Sequence, residues 1–461
     1  MTLITSISGI RGTIGGGVGD GLTPVDTVRF TAAFGSWVKT ATSESQTRIV
    51  VGRDARISGN IIRQLVVSTL QSLGIHIIDL DLSTTPTVEL AVQMEKAQGG
   101  IIITASHNPK QWNALKLLNH KGEFISAEDG AQVLSIAQAN DYLFSTVDDL
   151  GSYSLNTNYI KAHIDHILQL EMVDVSAVKK AKFKVVVDAV NSTGGIAVPA
   201  LLESLSVQCI PLYCEPNGHF PHNPEPLAQH LTDISELVKK ESADLGIVVD
   251  PDVDRLAIVN EDGTMFGEEY TLVAVADYIL SKKKGNTTSN LSSSRALRDI
   301  TEKHGGTYYS SAVGEVNVVA KMKECQAVIG GEGNGGVIYP DSHYGRDALV
   351  GIALFLSHLA QKNMKCSELR KSYPIYFMSK NKIELRPQIN VDDVLKQIAS
   401  NYQNEKITTI DGVKIDFEDE WVHLRKSNTE PIIRVYTESH SMKAADSLAS
   451  RFMNEINKMI S

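Results

Sequence analysis

Along the first 150 residues, short apolar runs alternate with amphipathic stretches. Arg48–Gly52 (RIVVG), Ile75–Leu82 and Gly100–Ile103 have strand character, whereas Asn60–Leu73 and Val88–Lys96 space their apolar residues three and four apart, as a helix does. This is the grammar of βαβ units. After a Ser/Asn/Gly/Asp-rich break at 148–157, the pattern returns with strand Phe183–Ala189, helix Ala197–Ser204, a Pro/Asn/His-rich surface loop over 211–226, helix Leu231–Glu241 and strand Ala243–Val249. A third pass gives helices Tyr270–Lys282 and Arg295–His304 and strand Ala327–Gly330. Beyond Tyr373 the runs are β-rich (Ile375–Met378, Lys382–Leu385, Gly412–Phe417, Trp421–Arg425, Ile432–Thr437), with a closing helix from Met442. The pattern predicts an α/β protein: three successive mixed α/β domains over 1–150, 151–258 and 259–372, then a smaller C-terminal α+β domain over 373–461.

Bulk properties narrow the function classes. A chain of 461 residues exceeds one ordinary core, and 42% hydrophobic with 21% charged residues is ordinary globular composition. A formal charge of −10 argues against phosphate-backbone binding as the main task, so no nucleic-acid partner is expected. The basic run Lys282–Lys284 reads as a solvated helix end. Four cysteines without C-x-x-C spacing fit reduced thiols in the cytoplasm, not a zinc site or a disulfide scaffold. No signal-peptide pattern opens the chain and no apolar run approaches about 20 residues, so no membrane partner is expected.

Four stretches carry candidate chemistry. The strand-like run Gly99–Ile103 leads into Thr104-Ala105-Ser106-His107-Asn108-Pro109, which should present Ser106 from a turn at a strand end. Asp250-Pro251-Asp252-Val253-Asp254-Arg255 directly follows another apolar run; alternate aspartates can turn three carboxylates to one centre, which suits one Mg²⁺ ion. An EF-hand is excluded by Arg255 where that loop demands glycine, and by the strand that precedes it. The glycines of Gly330–Gly336 permit close backbone approach, leaving Glu332 and Asn334 to contact a polyol. Arg425, Ser427, Asn428 and Thr429 within RKSNTEP, with Arg434 downstream, offer a donor set that matches a phosphate. Two further segments stand out: Gly9–Gly21, read as a flexible loop, and GRDARISG (52–59), read as a charged turn with Ser58 as a cap for the next helix.

Together these motifs resemble those of the α-D-phosphohexomutase family. TASHNP is similar to its phosphoserine loop, the acidic loop to its DGDGDR metal motif with Pro251 and Val253 in place of glycines, GEGNGG to its GExSGH sugar loop with Asn334 for Ser and Gly336 for His, and RKSNTEP to its phosphate loop. SGIRG resembles part of the opening motif and brings in Arg11 as a substrate contact. The resemblance implies four domains around a central cleft and a phosphoryl shift between the 1- and 6-positions of a hexose phosphate. A phosphorylated Ser106 would form a hexose 1,6-bisphosphate, which also serves as activator. Ser106, Asp250, Asp252 and Asp254 would hold Mg²⁺, and Lys116 would be the general acid/base, carried on a helix-like segment after Pro109 with its pKa lowered by cations such as Arg255. His107 would steady the loop. The fourth domain would close over substrate by a hinge near Ser372–Met378.

The sugar-loop variant resembles the phosphoglucosamine mutase branch, which implies interconversion of glucosamine 6-phosphate and glucosamine 1-phosphate. Phosphomannomutase/phosphoglucomutase activity is the alternative. From another class stand a Mg²⁺-dependent sugar phosphatase with an aspartyl nucleophile and a non-catalytic sugar-phosphate binder. The partner is a small sugar phosphate, and the assembly a monomer or homodimer.

Overall fold

A computed structural model of the chain describes residues 2–6, 9–42, 46–385, 389–426 and 432–460. Two compact units are formed, Met1–Tyr278 with Asn334–Arg370, and Ile279–Gly333 with Lys371–Ser461.

The first unit opens with seven strands: β1 (Ile4–Ser6), β2 (Gly9–Thr13), β3 (Arg48–Arg53), β4 (His76–Leu82), β5 (Gly99–Ile103), β6 (Trp112–Leu118) and β7 (Tyr153–Leu155). They form one mixed sheet in the order β1-β2-β6-β5-β3-β4-β7. β3, β4, β5 and β7 pair in parallel, while β6 runs antiparallel to both β5 and β2. β5 shows why the sheet must be covered on both sides. Ile101 and Ile103 enter one core with Phe34, Val66 and Leu70, and Ile102 enters another with Val88, Ala91 and Val92, as the two-residue period of a strand requires. Each of these isoleucines is fully buried, worth about 1.5–3 kcal/mol relative to exposure.

The next sheet contains β8 (Lys184–Asp188), β9 (Gln208–Leu212), β10 (Leu245–Val249) and β11 (Leu256–Asn260), ordered β11-β10-β8-β9. β10 is parallel to β8 but antiparallel to β11, so the acidic segment 250–255 is the turn of a hairpin. In the second unit, β12 (Asn286–Asn290) lies between and parallel to β13 (Tyr308–Ser311) and β14 (Ala327–Glu332). The chain then returns to the first unit with β15 (Gly336–Ile338) and the helix Ala348–Lys362, whose residues 348–359 are buried on every face.

The last sheet is all antiparallel: β16 (Phe377–Glu384), β17 (Lys406–Thr408), β18 (Val413–Asp416), β19 (Trp421–Lys426) and β20 (Ile432–Ser439), ordered β16-β20-β19-β18-β17. The helix Met442–Ile460 covers it through Leu448, Phe452 and Ile456. Among the described residues, no helix is long and apolar enough to cross a membrane.

Three local expectations change. The stretch Gly9–Gly21 is not simply a loop, because Gly9–Thr13 is β2, hydrogen-bonded between β1 and β6. The segment carrying Lys116 is strand β6, not a helix: alternate pairing with β5 and β2 satisfies its backbone on both sides. Ser58 makes no side-chain cap, since its hydroxyl accepts the Asn113 amide instead.

Candidate active site

The turn between β5 and β6 carries Ser106 at φ 47°, a left-handed conformation that non-glycine residues seldom adopt. The residue is only 8% exposed, so the expectation of an openly presented serine is corrected. Neighbouring carbonyls are gathered inward onto the buried Arg56 guanidinium. Ser106 Oγ donates to Asp250 Oδ2 at 2.8 Å and lies 3.4 Å from His107 Nδ1. The positive charge of Arg255, together with burial, holds the His107 imidazole well below its usual pKa.

Asp250, Asp252 and Asp254 are all fully buried, and one carboxylate oxygen from each lies within 4.8 Å of the others. The hairpin turn bends through Val253 at φ 64°, and Asp250 Oδ1 accepts the backbone N–H groups of Asp254 and Arg255, each at 3.2 Å. Asp252 Oδ2 accepts from Thr85 Oγ1 at 2.6 Å and from Lys116 Nζ at 2.7 Å; Asp254 Oδ2 accepts from Arg346 Nη2 at 2.6 Å and from Lys116 Nζ at 3.3 Å. The remaining oxygens, Asp252 Oδ1 and Asp254 Oδ1, have no hydrogen-bond partner among the described residues, Asp254 Oδ1 lying 3.9 Å from Arg255 Nε. Two orphaned anionic oxygens in a buried turn, beside the Asp250–Ser106 pair, are a donor set suited to a hard divalent cation.

Electrostatics divide the three carboxylates. Burial, then repulsion from Asp254 and Asp252, pushes Asp250 well above the usual range. At Asp254 burial acts in the same direction, but Arg346, Lys116 and Arg255 outweigh it and hold the group low. Lys116 departs from expectation. Burial alone would lower its pKa, yet Asp252 and Asp254 overcome that and raise it above an ordinary lysine, so the group is a firm ammonium here. The two carboxylates in direct contact with it outweigh the nearby cations, of which Arg346 acts to lower it, so the lowering that cations such as Arg255 could supply does not prevail.

Arg11 lies on β2 opposite Ala114 of β6, and with Arg255 and Arg346 its charge reaches the His107 ring. Asn334 folds back so that its Oδ1 accepts the Gly336 N–H at 3.3 Å. Gly335 O accepts the Leu256 N–H at 3.0 Å, so the sugar-loop segment and the exit of the acidic hairpin share a hydrogen bond. In the second unit, Glu332 closes β14 and accepts from Asn290 Nδ2 at 2.8 Å and from the Gly314 N–H at 3.2 Å. Arg425 and Arg434 are directly opposed on β19 and β20. Like charges facing each other are unfavourable without an anion between or beside them. Asp411 supplies part of the compensation, 3.4 Å from Arg425 Nη1. Ser427, Asn428 and Thr429 lie outside the described residues.

Thr85 and Arg346 went unnoticed in the sequence. Thr85 belongs to a TTPT run that reads only as a helix start, and it does open the helix Thr85–Met94, capped by Thr84. Arg346 precedes Asp347, the N-cap of the helix Ala348–Lys362, so "RD" there resembles an ordinary cap. Only the chain reversal at β15 brings it to Asp254.

Four domain families match the chain in succession: phosphoglucomutase/phosphomannomutase α/β/α domain I over residues 3–143, domain II over 161–263, domain III over 267–376 and the C-terminal domain over 382–455. A phosphoglucomutase/phosphomannomutase of Thermococcus kodakarensis is 35% identical over 92% of each chain. A phosphoglucosamine/phosphogalactosamine mutase of Sulfurisphaera tokodaii is 30% identical over 100% of this chain and 99% of its own. The crystal structure of a phosphoglucomutase/phosphomannomutase family protein from Burkholderia thailandensis superimposes with a TM-score of 0.83 at 25% identity, covering 98% of this chain and 97% of that one. With every domain matched in order along nearly the whole chain, the protein belongs to the phosphoglucomutase/phosphomannomutase family, the phosphohexomutases, which are isomerases that shift a phosphoryl group within a sugar phosphate.

Proposed function

We propose that the protein interconverts glucosamine 6-phosphate and glucosamine 1-phosphate through a phosphorylated Ser106 and a bound hexose 1,6-bisphosphate. The observation that carries this reading is the 2.8 Å contact of Ser106 Oγ with Asp250, beside two buried carboxylate oxygens without a hydrogen-bond partner among the described residues. A hydroxyl that sits against a cation-binding set is suited to carry a phosphoryl group. Asp250, Asp252, Asp254 and the Ser106 oxygen would hold Mg²⁺, which when bound offsets negative charge on the phosphoryl group.

In transfer from Ser106, the sugar hydroxyl oxygen bonds to phosphorus as the P–Oγ bond breaks, and the hydroxyl proton must end on Ser106 Oγ. Lys116 is the acid of this reading. Its ammonium gives a proton to Ser106 Oγ as the P–Oγ bond breaks, and the amine left behind takes the proton of the attacking sugar hydroxyl, so Lys116 ends as an ammonium held by Asp252 and Asp254. Arg11 and Arg255 add positive charge around the phosphoryl group. His107, kept neutral, steadies the loop. By the resemblance of their motifs, Arg425, Ser427, Asn428, Thr429 and Arg434 would grip the phosphate that does not react, and Glu332 and Asn334 would meet the hydroxyl or amino groups.

A second reading, phosphomannomutase/phosphoglucomutase activity, is favoured by the name of the 35% identical relative. Parallel kcat/KM values for glucosamine, glucose and mannose phosphates, with Mg²⁺ and a trace of the matching bisphosphate, decide between them. A preference of more than about tenfold, roughly 1.4 kcal/mol, for the amino sugar supports the first reading. Equal or better rates with mannose or glucose phosphate support the second, and phosphate release without isomerisation overturns both in favour of a phosphatase.

A further inference from the structure

The Ser106 loop is built around a charged pair that the proposed reaction leaves without a task. Arg56, from the GRDARISG segment, is fully buried, and all five of its N–H donors are used. Nε donates to Asp54 Oδ2 at 3.0 Å, Nη1 to Pro109 O and Trp112 O at 2.9 Å each, and Nη2 to Ser106 O at 2.5 Å and Asn108 O at 2.6 Å. Four carbonyls, three from the turn and one from the first residue of β6, thus point at one planar fork. Lysine, with a single nitrogen, cannot reproduce this arrangement.

The other side of Ser106 is held by the same pair. Asp54 Oδ2 accepts from Thr104 Oγ1 at 2.7 Å, and Thr104 Oγ1 accepts the Ser106 N–H at 2.9 Å. Both backbone polar groups of Ser106 therefore lead back to Asp54 and Arg56. A serine at φ 47° would relax to an ordinary conformation unless its surroundings over-determined it, and these hydrogen bonds do so.

The anchor extends to the acidic hairpin. The Ala55 N–H donates to Ser192 Oγ at 3.3 Å, and Ser192 Oγ donates to Pro251 O at 2.7 Å. Phe220 covers the Arg56 guanidinium at 5.1 Å, and Gly218 lets that covering loop pass so close that a Cβ there would meet Ala55 O at 2.1 Å. The segment 54–56 thus sets the positions of the serine and of the carboxylate that receives it.

We propose that Arg56 is the positioning residue of the Ser106 loop, a buried fork that, anchored by Asp54, locks the serine backbone in its left-handed conformation and aims Oγ at Asp250. The inference rests on the reading of Ser106 as the phosphoryl carrier. In its absence the serine would still be present, and substrate would still bind, but Oγ would spend little time in line with the phosphoryl group.

The test is phosphorylation of Ser106 by hexose 1,6-bisphosphate, followed by intact mass, alongside steady-state kinetics. Arg56→Lys is expected to phosphorylate about 100-fold more slowly and to lose kcat to a similar extent, with KM for the sugar phosphate within about threefold of the parent. A phosphorylation rate within about threefold of the parent overturns the proposal, as does a loss confined to KM. Should Arg56→Lys fail to fold, Thr104→Val against Thr104→Ser decides. The valine variant is expected to be about tenfold slower, with serine restoring the rate, and equal rates for the two overturn it. Phosphoserine formation is read apart from the sugar product. A parent that is phosphorylated but makes no isomer defeats the mutase reading, while the variant-to-parent ratio still judges Arg56; a parent never phosphorylated on Ser106 defeats both.

Discussion

His343 Nδ1 lies 3.3 Å from Glu89 Oε2 while its Nε2 lies 3.1 Å from Asp347 Oδ2, so one buried imidazole bridges two buried carboxylates. Burial alone would lower the His343 pKa, but the hydrogen bond to Asp347 and the adjacent Glu89 and Asp347 carboxylates push it up to about 10. The folded state therefore holds a proton that the unfolded chain, with a histidine pKa of about 6.5, releases near neutrality. This contribution is complete below about pH 6.5 and is lost as pH rises through about 10. Chemical denaturation at intervals from pH 6 to 10.5 should show stability falling by about 2 kcal/mol or more on the alkaline side, and His343→Gln should flatten that limb.

A Cβ added at Gly336 would meet Arg346 Cδ at 2.4 Å. The missing side chain is what leaves room for the Arg346 guanidinium beside Asp254. Gly336→Ala should displace the arginine and cut kcat about tenfold, and the same change made in an Arg346→Lys background should add much less than it does alone. Full additivity in this double-mutant cycle would show that the two positions act separately.

Val253 adopts φ 64° although it is β-branched and fully buried. The conformation costs about 1–3 kcal/mol, and burying a valine returns about 1.5–3 kcal/mol. Val253→Gly should therefore destabilise by less than about 3 kcal/mol, because relief of strain offsets much of the lost packing and of the entropy cost of glycine. Denaturant unfolding that showed a loss above about 3 kcal/mol would mean the valine is well accommodated.

Lys116 supplies the ammonium shared by Asp252 and Asp254. Lys116→Met should lower kcat at least about 100-fold, and it should also make the fold more dependent on divalent cation, since the carboxylates lose a resident positive charge. The rise in Tm on adding Mg²⁺ should be larger for the variant than for the parent; an unchanged rise would separate Lys116 from the cation site.

The central architecture was legible because it is written in local periods. The all-apolar run at Gly100–Ile103, the amphipathic stretch at Asn60–Leu73 and the terminal helix from Met442 each follow from spacing alone, and the acidic turn is recognisable because three aspartates that close cannot be buried without a cation. The errors have a common cause. Trp112–Leu118 contains Asn, Ala and Lys and reads as a helix, but it becomes a strand because β5 and β2 already offer it two open edges. The direction of the Lys116 shift was missed because Asp252 and Asp254 come from a different sheet, more than 130 residues away along the chain. Arg346 and the His343 cluster were invisible for the same reason: only the return of the chain at β15 brings them to helix Thr85–Met94 and the acidic hairpin.

The antiparallel pairing of β5 with β6 places Lys116 opposite Ile102 and Leu115 opposite Ile103. Side chains alternate faces along a strand, so a shift of one residue in this ladder would turn Lys116 into the apolar core and Leu115 or Leu117 out toward the carboxylates. The segment joining the strands therefore has a fixed length. Residues at its tip can be exchanged, but a single insertion or deletion between Thr104 and Trp112 would leave every residue of the reaction in the chain and still dismantle the site. Natural variation in this hairpin should accordingly take the form of substitutions, not length changes.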